Sequence, residues 1–591
     1  MRYKLIDGSL NDVNDIVGTV LRNRGVEKPQ EYLNLSEDCI NDYNDLDNID
    51  KAVECFVEHY NNKDKIAIIP DEDADGYTSS AMLYLYIKSL DADYPIEYIL
   101  HEQPKQHGLV DIDLARFDDA KLIIIADAAT NDATQCNELI AKGKKIIILD
   151  HHDANYAEET EGEIDYQAAQ YNNAIIVNNQ LSDNYSNKEL SGAGIVYRFL
   201  QALDQELWHD YADNLLDLCA VGNIADAMDL RSQETRYFAN CGLKNFNNKF
   251  LQALATAQEY STKGVINIHN ISWFFAPIIN SVTRMGSYEE RDILFRAMTE
   301  QHEEFDYKKR DSSVVKENIY DRAVRLSKNI KSRQDKQRDI VFNELIDCAD
   351  MNSKVIVLES KKAQDGLIGV SAMKLADALR RPVVIVKEFE QDGVKTFRGS
   401  CRNFDGSPVP DLKELILQTG AFKFCSGHGN AAGLGILPEN IEMARVRFEE
   451  LLKDVNFDLP VLCDFEMDFE DMDARFIMDV DSYEHVWCTG IKAPKIAVKN
   501  IAVCRKDIRV QGKDNNSIAF EIEGIKYVAF KLDESDPLLA FANGWGDPGD
   551  EIVFDAVVTC GINTYQGVSQ CQCTIEGVNV ISTPQNDYKE D

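Results

Sequence analysis

Short apolar runs, each followed by polar residues and then by a segment of helical periodicity, recur through the first part of the chain. Residues 65–76 (KIAIIPDEDADG) contain the first of these runs, which leads into an acidic turn ending in a glycine. Similar apolar runs occupy residues 121–126, 144–149 and 174–177. Buried strands that alternate with helices predict βαβ units, in which helices cover a parallel sheet on both faces.

The pattern changes twice in the rest of the chain. Residues 241–345 have mainly helical periodicity, and a second strand–helix–strand unit follows at 353–388. From Lys495 onward the chain reads as a series of short strands separated by turn residues. Strands of this length and spacing predict a small β-barrel.

These patterns predict an α/β fold class, with two α/β domains joined by a helical linker and an OB-like β-barrel after them. A chain of 591 residues has room for about three to five domains. The predicted boundaries are an N-terminal helical region at 1–55, a first α/β domain at 56–240, a helical connector at 241–345, a second α/β domain at 346–456, an OB-like domain at 457–582 and a polar tail at 583–591.

Composition and charge limit the functions that such a chain can have. Asp and Glu outnumber Lys and Arg by 101 to 62, which gives a formal net charge of −39. Such an acidic surface repels polyphosphates on average, so nucleic-acid binding would need a local basic track such as residues 308–338. The sequence has no apolar signal-peptide core, no transmembrane-length apolar run and no CxxC pair. We therefore expect a cytoplasmic protein with reduced thiols and no membrane association.

Acidic and histidine side chains follow the predicted strands at the points where those strands end. In the first turn Asp71, Asp73 and Asp75 alternate before Gly76. One aspartate at a strand end usually forms a cap or a turn, but three in alternate positions repel one another unless a cation is bound. Asp127, Asp150, His151 and His152 follow later strands, and the last member of the set, Asp226, lies on a predicted buried helix. Oxygen ligands with an imidazole suit Mn²⁺ or Mg²⁺, and ligands collect at the carboxyl ends of parallel strands.

The same residues carry a resemblance to a known family. The segments DEDADGYTSSAML, IIADAATND, ILDHHDAN and VGNIADAMDL, in this order, are similar to motifs I to IV of the DHH phosphoesterase superfamily. SGHGNAAG at 426–433 resembles the GGHxxAAG motif of the DHH-associated C-terminal domain, and PIINSVTRMG at 277–286 resembles a RecJ-type segment. With a barrel-like C-terminal part, the match is closest to the RecJ-type single-strand-specific exonucleases, over roughly 50–582. It implies that 56–240 is a DHH catalytic domain and 346–456 a DHH-associated domain.

The resemblance also implies a centre of two Mn²⁺ or Mg²⁺ ions. Its implied metal ligands are Asp73, Asp75, Asp127, His151 and Asp226. The implied catalytic residues are Asp127, which would bridge the ions, His152, which would contact the scissile phosphate or orient a ligand, and Asp71. The implied substrate-binding residues are Gly427, His428, Asn280, Arg284, Arg398, Ser400 and Arg402.

The first motif departs from the family pattern, because Ile69 stands where the family usually has a histidine. One metal site would therefore lack an imidazole, and Asp71 or a residue from elsewhere would replace it. His107, a lone histidine before Gly108, is interpreted as a loop or surface residue. Since the ligand carboxylates are all present, we expect an active enzyme.

The resemblance implies a metal-dependent exonuclease that degrades single-stranded DNA from 5′ to 3′, in DNA repair, recombination or replication. Single-stranded DNA would be its substrate, and a single-strand-binding protein or a helicase its candidate protein partner. One alternative is a DHH phosphodiesterase acting on oligoribonucleotides or cyclic dinucleotides, although such members typically lack the C-terminal barrel. Another is a non-catalytic scaffold that holds single-stranded DNA, which Ile69 favours and the clustered carboxylates disfavour.

Overall fold

The computed structural model of the protein describes most of the chain as two compact units. The described residues are 2–8, 12–104, 106–110, 112–155, 167–309, 311–391, 394–544, 546–565 and 567–583. The large unit comprises Asn41–Met228 and Phe238–Asp458, and the small unit comprises Met1–Ile40, Asp229–Tyr237 and Leu459–Asp591. The small unit thus combines segments that lie far apart along the chain. The domain boundaries given above remain predictions.

The segment before the first sheet is mainly helical. Its elements are β1 (Tyr3–Leu5), α1 (Ile16–Asn23), α2 (Pro29–Leu33) and α3 (Ile49–Asn61). The side chain of Asp15 caps α1 by accepting a hydrogen bond from the Gly18 amide at 3.1 Å. Pro29 begins α2, where the first turn needs no amide donor.

The first sheet of the large unit has five short strands. They are β2 (Ile66–Pro70), β3 (Ile96–Tyr98), β4 (Leu122–Ala126), β5 (Lys145–Asp150) and β6 (Ile175–Asn178). All are parallel, in the order β3-β2-β4-β5-β6, and β2 and β4 are buried along their whole length. The helices of this region are α4 (Ala74–Leu90), α5 (Ala133–Ala141), α6 (Gly192–Leu207), α7 (Leu216–Ala225) and α8 (Gln233–Gly242). The predicted parallel α/β sheet is confirmed, and its isoleucine-rich strands suit burial on both faces.

Helices make up most of the region between the two sheets of the large unit. The elements are α9 (Lys249–Thr262), α10 (Ile268–Asn270), α11 (Ala276–Met285), α12 (Tyr288–Met298), β7 (Glu304–Lys308), β8 (Val314–Asn318) and α13 (Ile319–Leu345). The antiparallel hairpin of β7 and β8 was not predicted from the periodicity. In the basic stretch, Arg325 pairs with Glu317 at 2.7 Å and Arg333 with Glu290 at 3.3 Å, so part of its charge is neutralised within the chain.

The second sheet of the large unit is mixed. Its region contains β9 (Ile356–Glu359), α14 (Ile368–Leu379), β10 (Val383–Gln391), β11 (Val394–Arg402), α15 (Leu412–Gln418), β12 (Phe422–His428), β13 (Ala431–Ile436) and α16 (Ile441–Leu451). The strand order is β12-β13-β11-β10-β9, and β9 and β10 form its parallel pair. The predicted glycine-rich turn joins β12 to β13 in a tight hairpin.

The small unit is built around a seven-stranded sheet. Its C-terminal elements are β14 (Val461–Cys463), β15 (Phe465–Asp468), α17 (Ala474–Ser482), β16 (Ile496–Cys504), β17 (Arg509–Gln511), β18 (Ser517–Ile522), β19 (Ile525–Ala529), α18 (Pro537–Asn543), β20 (Glu551–Tyr565) and β21 (Val568–Ser582). The sheet runs β15-β16-β20-β21-β19-β18-β17, while β1 pairs in parallel with β14. Ile16 and Val20 of α1 share one apolar core with Ile496 and Phe554. Both ends of the chain therefore stabilise the same core.

Phe520 and Tyr527 lie within this core and stack on each other, with ring centroids 5.2 Å apart. These two rings contribute to packing and are not available as an open stacking surface. Throughout the described part of the chain, no helix combines the length and apolar character that crossing a membrane requires.

Candidate metal centre

The turn between β2 and α4 brings three aspartates to the carboxyl end of the first sheet. Asp73 caps α4, since its side chain accepts a hydrogen bond from the Gly76 amide at 3.0 Å. A Cβ atom at position 76 would lie 2.6 Å from the carbonyl oxygen of Asp71, so a side chain there would collide with the backbone. Asp71 and Asp75 are buried and Asp73 is partly buried. The tight turn therefore concentrates negative charge at the start of α4.

Three further side chains converge on this turn from other elements. Asp127 follows β4, His151 follows β5 and Asp226 ends α7. The Nε2 atom of His151 lies 3.2 Å from Asp127 Oδ1 and 3.5 Å from Asp226 Oδ2. Asp127 and His151 meet because β4 and β5 are parallel strands that end at the same edge of their sheet, and the end of α7 brings Asp226 to that edge.

Three overlapping groups of side chains have candidate ligand atoms within 4.8 Å of one another. The groups are Asp127, His151 and His152; Asp75, His151 and Asp226; and Asp71, Asp73 and Asp127. Asp127 and His151 each belong to two groups. The structure thus brings together all five side chains that the sequence predicts as metal ligands, and also Asp71 and His152.

The carboxylates of this cluster repel one another in a setting with little water. Burial, followed by the charge of Asp73, raises the pKa of Asp75 to about 6. Burial and the neighbouring carboxylates hold the pKa values of Asp127 and Asp226 well above their usual range. Asp75 Oδ2, Asp127 Oδ1 and Asp226 Oδ2 are buried and accept no hydrogen bond from the described residues. A divalent cation would remove both penalties, and oxygens with an imidazole nitrogen form a donor set that fits Mn²⁺ or Mg²⁺.

The N-terminus of α6 holds Asp75 and lies against Asp127. Asp75 Oδ1 accepts hydrogen bonds from Ser191 Oγ at 2.8 Å and from the Ala193 amide at 3.1 Å. Between these donors, Gly192 packs so closely that a Cβ atom would lie 2.5 Å from the Cβ of Asp127. The glycine therefore allows α6 to approach both carboxylates.

We expect Gly192→Ala to displace Asp127 and to weaken Mn²⁺ binding by roughly 10- to 100-fold, because mutation of residues that orient metal ligands usually has an effect of this size. Isothermal titration of the DNA-free protein with Mn²⁺ measures this. Gly8→Ala is the control, because a Cβ atom at position 8 meets nothing within 4 Å. A Gly192→Ala protein that binds Mn²⁺ as tightly as the unaltered protein would contradict the placement of Asp127.

His152 is oriented by Asp150, the last residue of β5. Asp150 Oδ1 lies 2.7 Å from His152 Nδ1, and Asp150 Oδ2 accepts a hydrogen bond from the Thr130 amide at 3.1 Å. Burial alone would raise the pKa of Asp150, but the His152 imidazole and the hydrogen bonds hold it below its usual value. Burial alone would lower the pKa of His152, but Asp150 raises it to about 9. Asp150 therefore favours the protonated, cationic form of the His152 ring.

His107 is an exposed residue of the loop after β3, as the sequence predicts, and its side chain also reaches the same centre. Its Nδ1 lies 2.8 Å from Asp71 Oδ2, and its ring centroid lies 5.3 Å from that of His152. Gly108, with a φ of 56°, donates its amide to Asp71 Oδ1 at 3.1 Å. Ile69 belongs to the apolar core, so a loop supplies the imidazole beside Asp71. The sequence signal is a His-Gly pair shortly after a strand that ends at the site.

A cleft on the second sheet is lined by two of the predicted arginines. It encloses about 440 Å³, and the predicted residues that line it are Arg398, Ser400, Arg402 and Gly427. Arg402 donates a hydrogen bond to Ser400 Oγ at 2.7 Å. Burial lowers the pKa of Arg284, although the negative charge of Asp73 acts in the opposite direction. Burial also lowers the pKa of Arg402, and the positive charge of Arg284 lowers it further. Arg284 therefore lies close enough to Asp73 and to Arg402 for their charges to influence one another.

Asn280 and Arg398 have contacts that bear on their predicted role in substrate binding. Asn280 is buried, and its Oδ1 accepts a hydrogen bond from the Ala74 amide at 2.9 Å. It therefore touches the first residue of α4, next to the carboxylate turn. The guanidinium of Arg398 packs over the ring of Phe389, 4.0 Å from its centroid.

Gly427 and His428 lie where β12 turns into β13. Gly427 has a φ of 128°, and a Cβ atom there would lie 2.8 Å from the Ala431 carbonyl oxygen. A larger residue would disturb the hairpin beside the cleft. The side chain of His428 lies outside the described part of the structure, so its predicted role stays a prediction.

Comparison with known proteins gives consistent matches over nearly the whole chain. The family model for the DHH family, N-terminal domain, matches residues 65–223, and that for the RecJ OB domain matches residues 463–577. A prophage-derived protein of Bacillus subtilis (strain 168), YorK, named as a candidate single-strand DNA-specific exonuclease, is 35% identical over 596 residues, which covers 99% of this chain and 100% of its own. The single-stranded-DNA-specific exonuclease RecJ of the same species is 24% identical over 533 residues, covering 86% and 62% of the two chains.

The fold agrees with these matches. The crystal structure of RecJ in complex with Mn²⁺ from Thermus thermophilus superposes with a TM-score of 0.71 and 19% identity, covering 98% of this chain and 79% of that chain. The sheets and the carboxylate–histidine cluster define an α/β protein of the DHH type with an OB domain. The chain belongs to the RecJ family. The predicted family resemblance and fold class are thereby confirmed.

Proposed function

We propose that this protein is a metal-dependent exonuclease that hydrolyses single-stranded DNA from its 5′ end. The observation that carries the proposal is a cluster of buried carboxylates around the His151 imidazole. In this cluster one oxygen each of Asp75, Asp127 and Asp226 accepts no hydrogen bond from the described residues. A scaffold has no physical need for such repelling groups, whereas a metal centre does. The names of the related proteins support single-stranded DNA as the substrate.

The three overlapping groups of candidate ligands support two ion positions. Asp75, His151 and Asp226 would hold one Mn²⁺ or Mg²⁺ ion, Asp73 would contribute to the other, and Asp127 would be shared. Two such ions supply positive charge that stabilises both the attacking and the leaving oxygen of an in-line displacement. Asp71, held by the Gly108 amide and His107, would position the carboxylate turn or replace the missing imidazole at Ile69.

His152 would contact the scissile phosphate as a cation. Its Nδ1 is engaged by Asp150, so the Nε2 proton would be donated to a phosphate oxygen. No covalent protein nucleophile is needed, because water attacks the phosphorus. The protein's part is to hold the ligands in place, to orient the imidazole and to position the strand.

Arg284 and Arg402 would hold a phosphate of the strand. Neither guanidinium has a carboxylate partner within 4 Å in the described parts of the chain, and Ser400 Oγ adds a polar group beside them. Two partly buried cations that repel each other are stabilised by a phosphate dianion, and the fork of each arginine suits bidentate contact. A terminal 5′-phosphate held here would set the polarity of digestion.

A nuclease assay tests the proposal. Single-stranded DNA labelled at its 5′ or 3′ end, the corresponding duplex and a cyclic dinucleotide are each incubated with the protein and Mn²⁺. We expect release of labelled mononucleotide from the 5′-labelled single strand at the first turnover, and progressive shortening of the 3′-labelled strand. Chelation of Mn²⁺ should stop both. Consumption of the dinucleotide alone, or no hydrolysis of any substrate, would contradict the proposal.

A role in repair, recombination or replication, a cytoplasmic location and a single-strand-binding protein or helicase as partner follow from the same family relationship and remain predictions. Strand hydrolysis by the purified protein does not depend on them.

A further inference from the structure

Glu72 and Arg291 form a buried ion pair next to the carboxylate turn. Glu72 stands between Asp71 and Asp73, yet its side chain is only 1% exposed and accepts a hydrogen bond from Arg291 Nη1. Arg291, on α12, is completely buried. Neither residue belongs to the ligands or substrate contacts described above.

The pair connects the carboxylate turn to a neighbouring loop. Arg291 Nη2 donates a hydrogen bond to the carbonyl oxygen of Glu102 at 2.9 Å. The side chain of His101 is also fully buried, with Nδ1 3.8 Å from Glu72 Oε1 and Nε2 2.9 Å from the carbonyl oxygen of Gly108. Arg291 thus links Glu72 to the start of one loop, and the contact of His101 Nε2 with the Gly108 carbonyl joins the start of that loop to its end beside Glu72.

That loop contacts the centre itself. Its Gly108 amide and its His107 ring both bond to Asp71. A movement of Glu72 would therefore shift Asp71 through the backbone on one side and through the loop on the other.

Stability alone is a poor explanation for this pair. Burying two charges costs desolvation energy, and apolar residues of similar volume often stabilise a fold as well or better. An arginine fork that reaches both Glu72 and the Glu102 carbonyl does, however, fix geometry in a way that apolar packing does not.

We infer that Glu72 and Arg291 are positioning residues that hold the turn of Asp71 and Asp73 in the geometry needed to bind divalent cations. The inference rests on the metal centre of the proposed function. It concerns how tightly the centre binds metal, so it can be tested without DNA.

Two variants test the inference. Glu72→Gln combined with Arg291→Met removes both charges together and leaves no unpaired buried charge. Arg291→Lys keeps the charge, but a single ammonium cannot reproduce the fork. For both we expect Mn²⁺ binding, measured by isothermal titration, to weaken by about 10- to 100-fold.

The kinetic signature separates positioning from a purely structural role. We expect kcat on single-stranded DNA to fall by about tenfold or more at saturating Mn²⁺, while KM for DNA stays within about twofold, since the strand contacts are untouched. The control is the double variant Arg24→Met with Asp464→Asn, which removes the buried bidentate pair of the small unit, where the distances are 2.7 and 2.9 Å. It should leave Mn²⁺ affinity unchanged.

The inference would be overturned if a folded site variant bound Mn²⁺ with an affinity within about twofold of that of the unaltered protein. If the double variant did not fold, Arg291→Lys would decide by the same criterion. If the unaltered protein bound Mn²⁺ but hydrolysed no DNA, the proposed function would fail while the titrations would still decide the role of the pair.

Discussion

Asp127→Asn should reduce the rate of single-strand hydrolysis by about 10³-fold or more, because paired ions contribute several kcal/mol to transition-state stabilisation. Asp127 is the carboxylate shared between two candidate ligand groups, so its loss would affect both proposed ion positions. The rate is measured with end-labelled single-stranded DNA at saturating Mn²⁺. Asp119→Asn, an exposed aspartate before β4, is the matched control and should keep full activity.

The Asp127→Asn variant should remain folded, and its melting temperature without metal should equal or exceed that of the unaltered protein. The reason is that burial and the neighbouring carboxylates destabilise the charged form of Asp127 when no cation is present. Added Mn²⁺ should raise the melting temperature of the unaltered protein more than that of the variant. An Asp127→Asn protein that keeps more than about a tenth of the rate would exclude a catalytic role, given the size of the expected loss.

Arg284→Met combined with Arg402→Met should raise KM for 5′-phosphorylated single-stranded DNA by roughly 10²-fold or more, because each charge-assisted contact contributes about 1.5–3 kcal/mol. Strands that begin with a 5′-hydroxyl should be affected much less, since they lack the dianion that the two guanidiniums would bind. Initial rates over a range of strand concentrations, with both kinds of 5′ end, measure the difference.

Arg447→Met serves as the control for this pair. Arg447 is exposed on α16, pairs with Glu450 at 2.9 Å and does not line the cleft. Equal losses on 5′-phosphorylated and 5′-hydroxyl strands would show that the two arginines do not recognise the terminal phosphate, and would remove the structural basis for 5′ polarity.

The parts of the fold and site that the sequence predicts are those governed by local patterns. The isoleucine-rich runs predict the strands of the first sheet, and the parallel arrangement follows from their alternation with helices. Once the strands are parallel, Asp127 and His151 must meet Asp75 at one edge, although they follow Asp75 by 52 and 76 positions in the sequence. The convergence of the carboxylates could therefore be predicted without distances.

The rest depends on contacts between elements that no local pattern encodes. His107 lies in a loop whose course is set by Asp71 and Asp132, which accept the amides of Gly108 and Leu109 at 3.1 and 2.7 Å. Nothing in the periodicity around a lone histidine indicates that path.

The pairing of Glu72 with Arg291 illustrates the same limit across a larger separation. The two residues are 219 positions apart, and on sequence alone each reads as an ordinary charged surface residue. Likewise, the shared core of Ile16 and Val20 with the C-terminal strands could not be predicted from the linear order of domains.

The most direct test of the metal centre is a crystal of the protein soaked in Mn²⁺ and measured for anomalous scattering at the manganese edge. For a two-metal centre we expect two peaks about 3.5–4 Å apart, with Asp127 coordinating both and His151 coordinating one. Peaks elsewhere in the molecule, with none among Asp75, Asp127 and Asp226, would contradict it.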